Sequence, residues 1–188
     1  EAYQKILKEA VTELRTQEFA DSFADMTRDG VQEFVSDCVI ESDLELRLPP
    51  EYVPQESERI LLYQQLDNME RPDDVKVFAE RLKDRFGAIP ATTEELIKVV
   101  PLRMEARRLG IERLTLKGGR MYLFFVGDDN KAYYQSPAFG KVLAYMQIDP
   151  ANTRLRDQSG KRSMVVERVA GVSRALEILQ TMRDLRPI

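Results

Sequence analysis

The sequence predicts an α+β fold: a helical N-terminal part followed by two β-hairpins in an antiparallel sheet with flanking helices. Apolar residues recur at helical spacing over much of the first 110 positions. From Ile111 onward, short β-branched and aromatic runs alternate with glycine-containing turns, which is typical of hairpins. The 43% hydrophobic and 32% charged fractions are those of a globular domain with one core of moderate size.

Residues 1–43 are predicted to form a short helix followed by an acidic stretch. Tyr3, Ile6, Leu7 and Val11 follow helical spacing within residues 1–15. Residues 16–43 hold eight acids and one base, and their apolar positions, up to Val39, also keep helical spacing. Two interpretations of this stretch stay open: a solvated linker with short helices, or an acidic arm that docks on a basic surface.

Residues 44–110 predict a strand and three helices. Alternating apolar and charged residues predict a strand from Leu44 to Leu48, which Pro49 ends. A helical pattern follows from Arg59 to Met69, and a second helix begins at Pro72, with acids in its first turn, and ends at Gly87.

The third helix, which runs to Leu109, carries two local signals. Thr92 and Glu95 have the spacing of a capping box, so we expect them to cap its N-terminus. Pro101 lies inside its apolar pattern and predicts a kink or break near Val100.

From Ile111 to the end, the sequence predicts alternating hairpins and helices. Residues 111–126 and 153–166 each predict a hairpin, residues 132–134 a short edge strand, and residues 136–148 and 172–182 amphipathic helices. The aromatic run that includes Tyr122 and Phe124 could stack on bases. No basic residues alternate with these aromatics along the strand, so core and cross-strand packing is the favoured interpretation.

An ordered series of short segments carries a family resemblance. The series is Leu46-Arg47-Leu48-Pro49, Tyr52-Val53-Pro54, Arg59 to Tyr63, Asp84-Arg85-Phe86-Gly87, Pro90, Glu95-Leu96 and Arg107 to Ile111. It resembles the C-terminal module of Mfd, the family of bacterial transcription-repair coupling factors, closely over about 70 residues and more loosely to the end.

The resemblance implies a division of the chain and a role. Residues 1–15 would be the tail helix of the preceding translocase part, residues 16–43 an acidic connector, and residues 44–188 a C-terminal regulatory module. Such a module is non-catalytic. It packs against the UvrB-like N-terminal module of its own polypeptide, masks the recruitment of UvrA, and restrains an ATP-dependent DNA translocase that acts on stalled RNA polymerase.

The helix from Pro72 to Phe86 supplies the candidate docking residues. At 100° per residue its apolar side chains share one face, and a charged strip with Val77 in its middle lies opposite. A solvated surface is the ordinary interpretation of such a strip. The resemblance places the contact with the UvrB-like module in this region. The expected contact residues are Glu80, Arg81, Asp84 and Arg85.

Two other classes of function are weaker alternatives. Arg103, Arg107, Arg108 and Arg113 form a possible basic patch for a nucleic-acid-binding accessory module, although salt bridges to interleaved acids also explain them. A small enzyme with a carboxylate site is the other alternative, but no pair stands out among 32 acids.

Composition limits the chemistry and the location. The chain has no histidine and one cysteine, Cys38, so we expect no catalytic residue, no metal site and no cofactor. No phosphate-binding loop or apolar run long enough to span a membrane is present, and a single cysteine fits a cytoplasmic protein. The net charge of −4 argues against tight binding of the isolated chain to DNA.

Overall fold

A computed structural model describes residues 33–188 of the chain. The predicted tail helix at residues 1–15 and the part of the acidic connector up to residue 32 lie outside these residues. The described part combines a five-stranded sheet with six helices, which confirms the α+β prediction.

The sheet is mainly antiparallel with one parallel edge. Its strands are β1 (Val39–Ser42), β2 (Ile111–Lys117), β3 (Arg120–Gly127), β4 (Thr153–Gln158) and β5 (Lys161–Val166). They lie in the order β1-β2-β3-β5-β4. The pairs β2–β3 and β4–β5 are the two predicted hairpins, and an antiparallel β3–β5 pair joins them. β1 pairs in parallel with β2, with Val39 opposite Arg113.

The helices are α1 (Glu56–Asp67), α2 (Pro72–Phe86), α3 (Ala91–Arg108), α4 (Lys131–Tyr134), α5 (Pro137–Ile148) and α6 (Val172–Asp184). α2 begins as the sequence predicts, with Pro72 in its first turn beside Asp73 and Asp74. Ser136 caps α5 by accepting a hydrogen bond from the Phe139 N–H.

Two apolar cores share α3. The large core joins one face of the sheet to α5, α6 and the C-terminal half of α3, through residues such as Leu102 and Ala106. The small core lies between α1, α2 and the N-terminal half of α3, through residues such as Phe78, Ile97 and Val100. The helix therefore continues from one core into the other, and it does so without a break at Pro101, so the predicted break is wrong.

The segment before α1 differs from its predicted structure in two places. Residues 44–48 alternate as predicted, with Leu44 and Leu46 half-buried, Leu48 buried and the charged residues between them exposed, but they belong to no strand, because no neighbouring strand pairs with them. The helical spacing that reaches Val39 is also misleading, since β1 begins there. Phe34, Val35 and Cys38 lie buried in the large core just before it.

Burial governs the chemistry of the cysteine. The Cys38 side chain is 2% exposed. Desolvation, reinforced by the neighbouring Asp37 carboxylate, raises the pKa of the thiol to about 12. The thiol therefore stays protonated and unreactive at neutral pH.

Two further local predictions are wrong. Residues 132–134 form part of α4 rather than an edge strand, because the Asn130 side chain accepts a hydrogen bond from the Tyr133 N–H and starts a helical turn. The expected Thr92–Glu95 capping box is absent, since α3 begins after Pro90 without a side-chain cap. Thr93, the residue after Thr92, is buried, and its hydroxyl donates a hydrogen bond to the Arg47 carbonyl at 2.9 Å.

Candidate functional site

The candidate site lies on the hairpin of α1 and α2. Residues 68–71 connect the two helices, and Glu58 at the start of α1 pairs with Arg85 at the end of α2, so the helices run in opposite directions over the small core. Phe78 and Leu82 of α2 point into that core. The opposite side of α2, here called the α2 outer face, is exposed at every position. Its residues are Asp73, Val77, Glu80, Arg81 and Asp84.

The four predicted docking residues separate into two groups. Arg85 pairs with Glu58 of α1, and its guanidinium lies 5.0 Å from the ring centroid of Phe86. This arginine therefore ties the two helices of the hairpin together. Glu80, Arg81 and Asp84 are exposed and form no ion pair or side-chain hydrogen bond within residues 33–188. These three charges remain available for another surface.

Apolar side chains accompany the charges. Val77, on the α2 outer face, is 45% exposed, and on α1 Ile60 is 49% and Leu61 is 58% exposed. Leu61 follows Glu58 by three residues and so lies on the side of α1 that faces Arg85. The hairpin thus presents a mixed surface, with apolar contacts among charged side chains, of the kind found at interdomain interfaces.

Hydrogen bonds hold the hairpin in one shape. The Tyr52 hydroxyl donates to the Gly87 carbonyl at 2.8 Å and reaches the Leu82 carbonyl at 3.3 Å, which fixes the C-terminal end of α2. Desolvation raises the pKa of this phenol above its ordinary value, so it remains a donor. The Arg59 guanidinium donates to the carbonyls of Val53 and Pro54 at 2.7 and 2.9 Å.

These contacts explain the sequence series that carries the family resemblance. Its segments are distant in sequence, but Tyr52 meets Gly87, Arg59 meets Val53, and the Tyr63 hydroxyl accepts a hydrogen bond from the Leu48 N–H at 2.7 Å. The series therefore specifies the frame of the small core. The contacting pairs could not be found by sequence periodicity, because they join different elements.

The four residues of the possible basic patch do not act together. Arg103 donates to the Leu66, Asp67 and Met69 carbonyls at 3.3 to 3.4 Å, which satisfies the end of α1, and it lies 3.9 Å from the Asp37 carboxylate. Arg113 pairs with Glu41 across the β1–β2 pair.

Arg107 and Arg108 remain at the C-terminal end of α3, where cations offset the helix dipole. The patch thus serves internal contacts at two of its four positions.

Among residues 33–188, no group of three or more acidic or cysteine side chains is arranged to hold a metal ion. Within the same part of the chain, no helix is long and apolar enough to cross a membrane.

The chain is similar in sequence to several bacterial transcription-repair coupling factors. The chain is 23% identical over 188 residues to the transcription-repair-coupling factor of Rickettsia bellii, a match that covers 100% of this chain and 15% of that protein. It is 27% identical over 175 residues to the same factor of Escherichia coli, covering 89% of this chain and 14% of the relative. A match to the factor of Staphylococcus epidermidis is 29% identical and covers 62% of this chain and 9% of the relative. The chain therefore spans a small part of these relatives.

A solved structure has the same fold. The crystal structure of the C-terminal domain of a transcription-repair coupling factor aligns with a TM-score of 0.64 at 13% identity, over 80% of this chain and 95% of that one. The fold is thus that of the C-terminal domain of such factors. The model of the TRCF domain family matches residues 42–136, half of the chain. The chain belongs to the TRCF domain family, as its sequence resemblance predicted.

Proposed function

We propose that this domain is the non-catalytic regulatory C-terminal domain of a transcription-repair coupling factor. It packs against the UvrB-like N-terminal module of its own polypeptide, masks the surface that recruits UvrA, and restrains a cytoplasmic, ATP-dependent DNA translocase that acts on stalled RNA polymerase. The family membership and the relatives named for transcription-repair coupling support this assignment.

The single observation that carries the proposal is the state of the α2 outer face. Glu80, Arg81 and Asp84 project from a helix whose other side is anchored in the small core, and they have no partners within the described residues. Val77 adds an exposed apolar side chain between them. Charges of both signs around an apolar contact favour docking in one orientation rather than general electrostatic attraction.

A modest interface suffices for this role. The domain and its target belong to one polypeptide, so the chain between them acts as a tether. A short flexible tether gives an effective concentration in roughly the millimolar range. A contact that is weak between separate proteins can therefore stay closed in the resting protein. The same weakness lets the domain leave when the parent engages polymerase.

The nucleic-acid alternative through the α3 patch has less support. Two of its four arginines make internal contacts: Arg103 satisfies the end of α1, and Arg113 pairs with Glu41. Only Arg107 and Arg108 remain for a ligand.

The experiment that tests the proposal is a binding competition. The immobilised 188-residue chain should capture the separately expressed N-terminal part of its parent, and added UvrA should release it. Failure to capture the N-terminal part at concentrations up to about 1 mM, the scale set by the tether, would contradict the proposal. Capture that UvrA does not reverse would remove the masking role.

A further inference from the structure

The sheet has a second face that is not part of either core. The strand register places Leu114, Leu123 and Met164 on one face, and all three are buried in the large core. We call the opposite side the open face. Its residues are Val39 and Glu41 on β1, Arg113, Thr115 and Lys117 on β2, Arg120, Tyr122 and Phe124 on β3, Lys161, Ser163 and Val165 on β5, Arg154, Arg156 and Gln158 on β4, and Glu167 directly after β5.

The open face is accessible over most of its area. All of these side chains except Val165 are exposed or half-buried. Val165 is 1% exposed, yet it belongs to neither apolar core, because it points away from the helices. Within residues 33–188, then, the helices cover the sheet on its other side.

Two aromatic residues lie at the centre of this face. Tyr122 and Phe124 are both half-buried and occupy β3, the middle strand of the five. They are two residues apart on one side of a strand, a spacing of about 6.6 Å. Thr115 lies opposite Tyr122, and Ser163 lies opposite Phe124, so short side chains flank the rings on part of their perimeter.

Positive charge surrounds the aromatics, although the chain as a whole is acidic. The face carries six basic residues, Arg113, Lys117, Arg120, Arg154, Arg156 and Lys161, and two acidic ones, Glu41 and Glu167. Glu41 pairs with Arg113, and Glu167 pairs with Arg120 at 2.8 Å and Arg154 at 3.4 Å.

Three of the six basic residues on the open face form no ion pair within the described residues. Lys117, Arg156 and Lys161 have no ion-pair partner within the described part of the chain. These three residues lie on β2, β4 and β5, whereas the one base on β3, Arg120, is paired with Glu167. Sequence reading missed this combination because it depends on strand order.

We propose that the open face binds single-stranded DNA, with bases stacked on Tyr122 and Phe124 and phosphates near Lys117, Arg156 and Lys161. Aromatic side chains on an open sheet accept unpaired bases of any sequence, and a cationic surround holds the backbone. A duplex hides its base faces and cannot use the aromatics. DNA supplies every group that the face recognises, and none of the contacts needs a 2′-hydroxyl.

This site is separate from the docking surface of the proposed function. The open face belongs to the sheet, and the α2 outer face belongs to the helical hairpin over the small core. Loss of DNA binding and loss of domain docking can therefore be measured independently with different variants.

The test is fluorescence anisotropy of fluorescein-labelled oligo-dT of about 15 nucleotides, titrated with the 188-residue chain at low salt. We expect a Kd of roughly 1–100 µM, which weakens steeply with added salt. Duplex DNA of the same length should bind at least about tenfold more weakly. Oligo-rU binding more tightly than oligo-dT would overturn the assignment to DNA.

Three variants locate the site. Phe124→Leu should weaken binding roughly fivefold or more, because one stacked base loses its platform. Arg156→Glu should weaken it about tenfold and reduce the salt dependence. Arg108→Glu is the matched control, since this exposed arginine lies at the end of α3, and it should change binding less than twofold. Circular dichroism and urea unfolding check that each variant is folded.

Several results would overturn the proposal. These are equal binding of duplex and single strand, no effect of Phe124→Leu in a folded protein, or a larger effect of Arg108→Glu than of Arg156→Glu. Displacement of oligo-dT by poly-glutamate at equal charge concentration would assign the face to an acidic protein segment instead.

Discussion

Glu95 of α3 caps the N-terminus of α6 through Ser173, a residue 78 positions later in the chain. Its carboxylate accepts hydrogen bonds from the Ser173 N–H at 3.2 Å, from the Val172 N–H at 2.6 Å, and from the Ser173 hydroxyl. The Lys98 ammonium donates to the same hydroxyl at 2.8 Å. Glu95, which the sequence predicted would cap α3, therefore links α3 to α6 instead.

The first prediction is that Glu95→Gln lowers the free energy of unfolding by about 1 kcal/mol, the usual worth of a helix cap. Desolvation acts to raise the pKa of Glu95, but the hydrogen bonds from Ser173 and Val172 and the charge of Lys98 outweigh it, so the net pKa lies below the ordinary 4.5. A lowered folded-state pKa stabilises the protein above pH 4.5, and this stabilisation is lost as the pH falls through the folded-state value.

Urea unfolding at several pH values measures that difference. The gap between wild type and Glu95→Gln should be constant near neutral pH and close in acid. Glu94→Gln is the matched control, because Glu94 is the exposed neighbour in the first turn of α3 and forms no side-chain hydrogen bond or ion pair within the described residues. A gap that stays the same at pH 3 would show that the carboxylate charge does not stabilise α6.

The second prediction concerns the α2 outer face. Asp84→Arg should weaken capture of the parent's N-terminal part about tenfold, which corresponds to about 1.4 kcal/mol. It should also raise the affinity of the full-length parent for UvrA, because the domain then leaves its closed position more often. Calorimetry on both pairs measures the two changes.

The control for this charge reversal is Asp129→Arg, on the exposed turn after β3. It changes the net charge equally but lies away from α2. An unchanged affinity for UvrA with Asp84→Arg would count against the docking assignment, as would an equal effect of the control.

The third prediction concerns the backbone at Gly110. This glycine has φ of +76°, and a Cβ there would lie 2.7 Å from Cζ of Tyr133. The Tyr133 hydroxyl donates to the Leu109 carbonyl at 2.6 Å, so the ring cannot move aside without losing that bond. Gly110→Ala should therefore cost about 3 kcal/mol of unfolding free energy.

Gly119→Ala separates the two causes. Gly119 has a φ of +75°, nearly that of Gly110, but a Cβ there would meet nothing within 4 Å. It should cost only about 1 kcal/mol, from backbone strain alone. Thermal or urea unfolding that gives equal losses for both variants would mean that the Tyr133 ring yields freely.

The fourth prediction concerns where the domain begins. A chain that starts at residue 44, the predicted boundary of the module, lacks β1 and the buried Phe34, Val35 and Cys38. Relative to residues 33–188, it should lose roughly 3 kcal/mol or more, since each large apolar side chain contributes about 1.5–3 kcal/mol. Matching urea midpoints for the two chains would show that residues 33–43 do not stabilise the domain.

Much of the fold follows from local sequence patterns. The two hairpins, α2, α5 and α6 each contain their own periodicity and turn residues, so residues near in sequence determine them. β1 was missed because Phe34, Val35 and Cys38 mimic helical spacing. Its partner strand begins at Ile111, far along the chain. Leu44 to Leu48 has the alternation of a strand but lacks a neighbour to pair with.

The site was predictable to a similar extent. Helical geometry alone placed Glu80, Arg81 and Asp84 on one exposed side of α2. It could not reveal that Arg85 pairs with Glu58 or that Arg103 satisfies the end of α1, because these contacts depend on how separate helices pack. The sequence shows which residues are charged, but only the packing of the helices shows which of those charges are free to bind a partner.

Because α3 runs unbroken through both apolar cores, the domain should melt as one body. Heating cannot loosen the helical hairpin while leaving the sheet intact, since either loss strips half of the same helix of its packing. A force applied to the helical hairpin would be transmitted along α3 to the sheet, and a calorimeter should record a single endotherm.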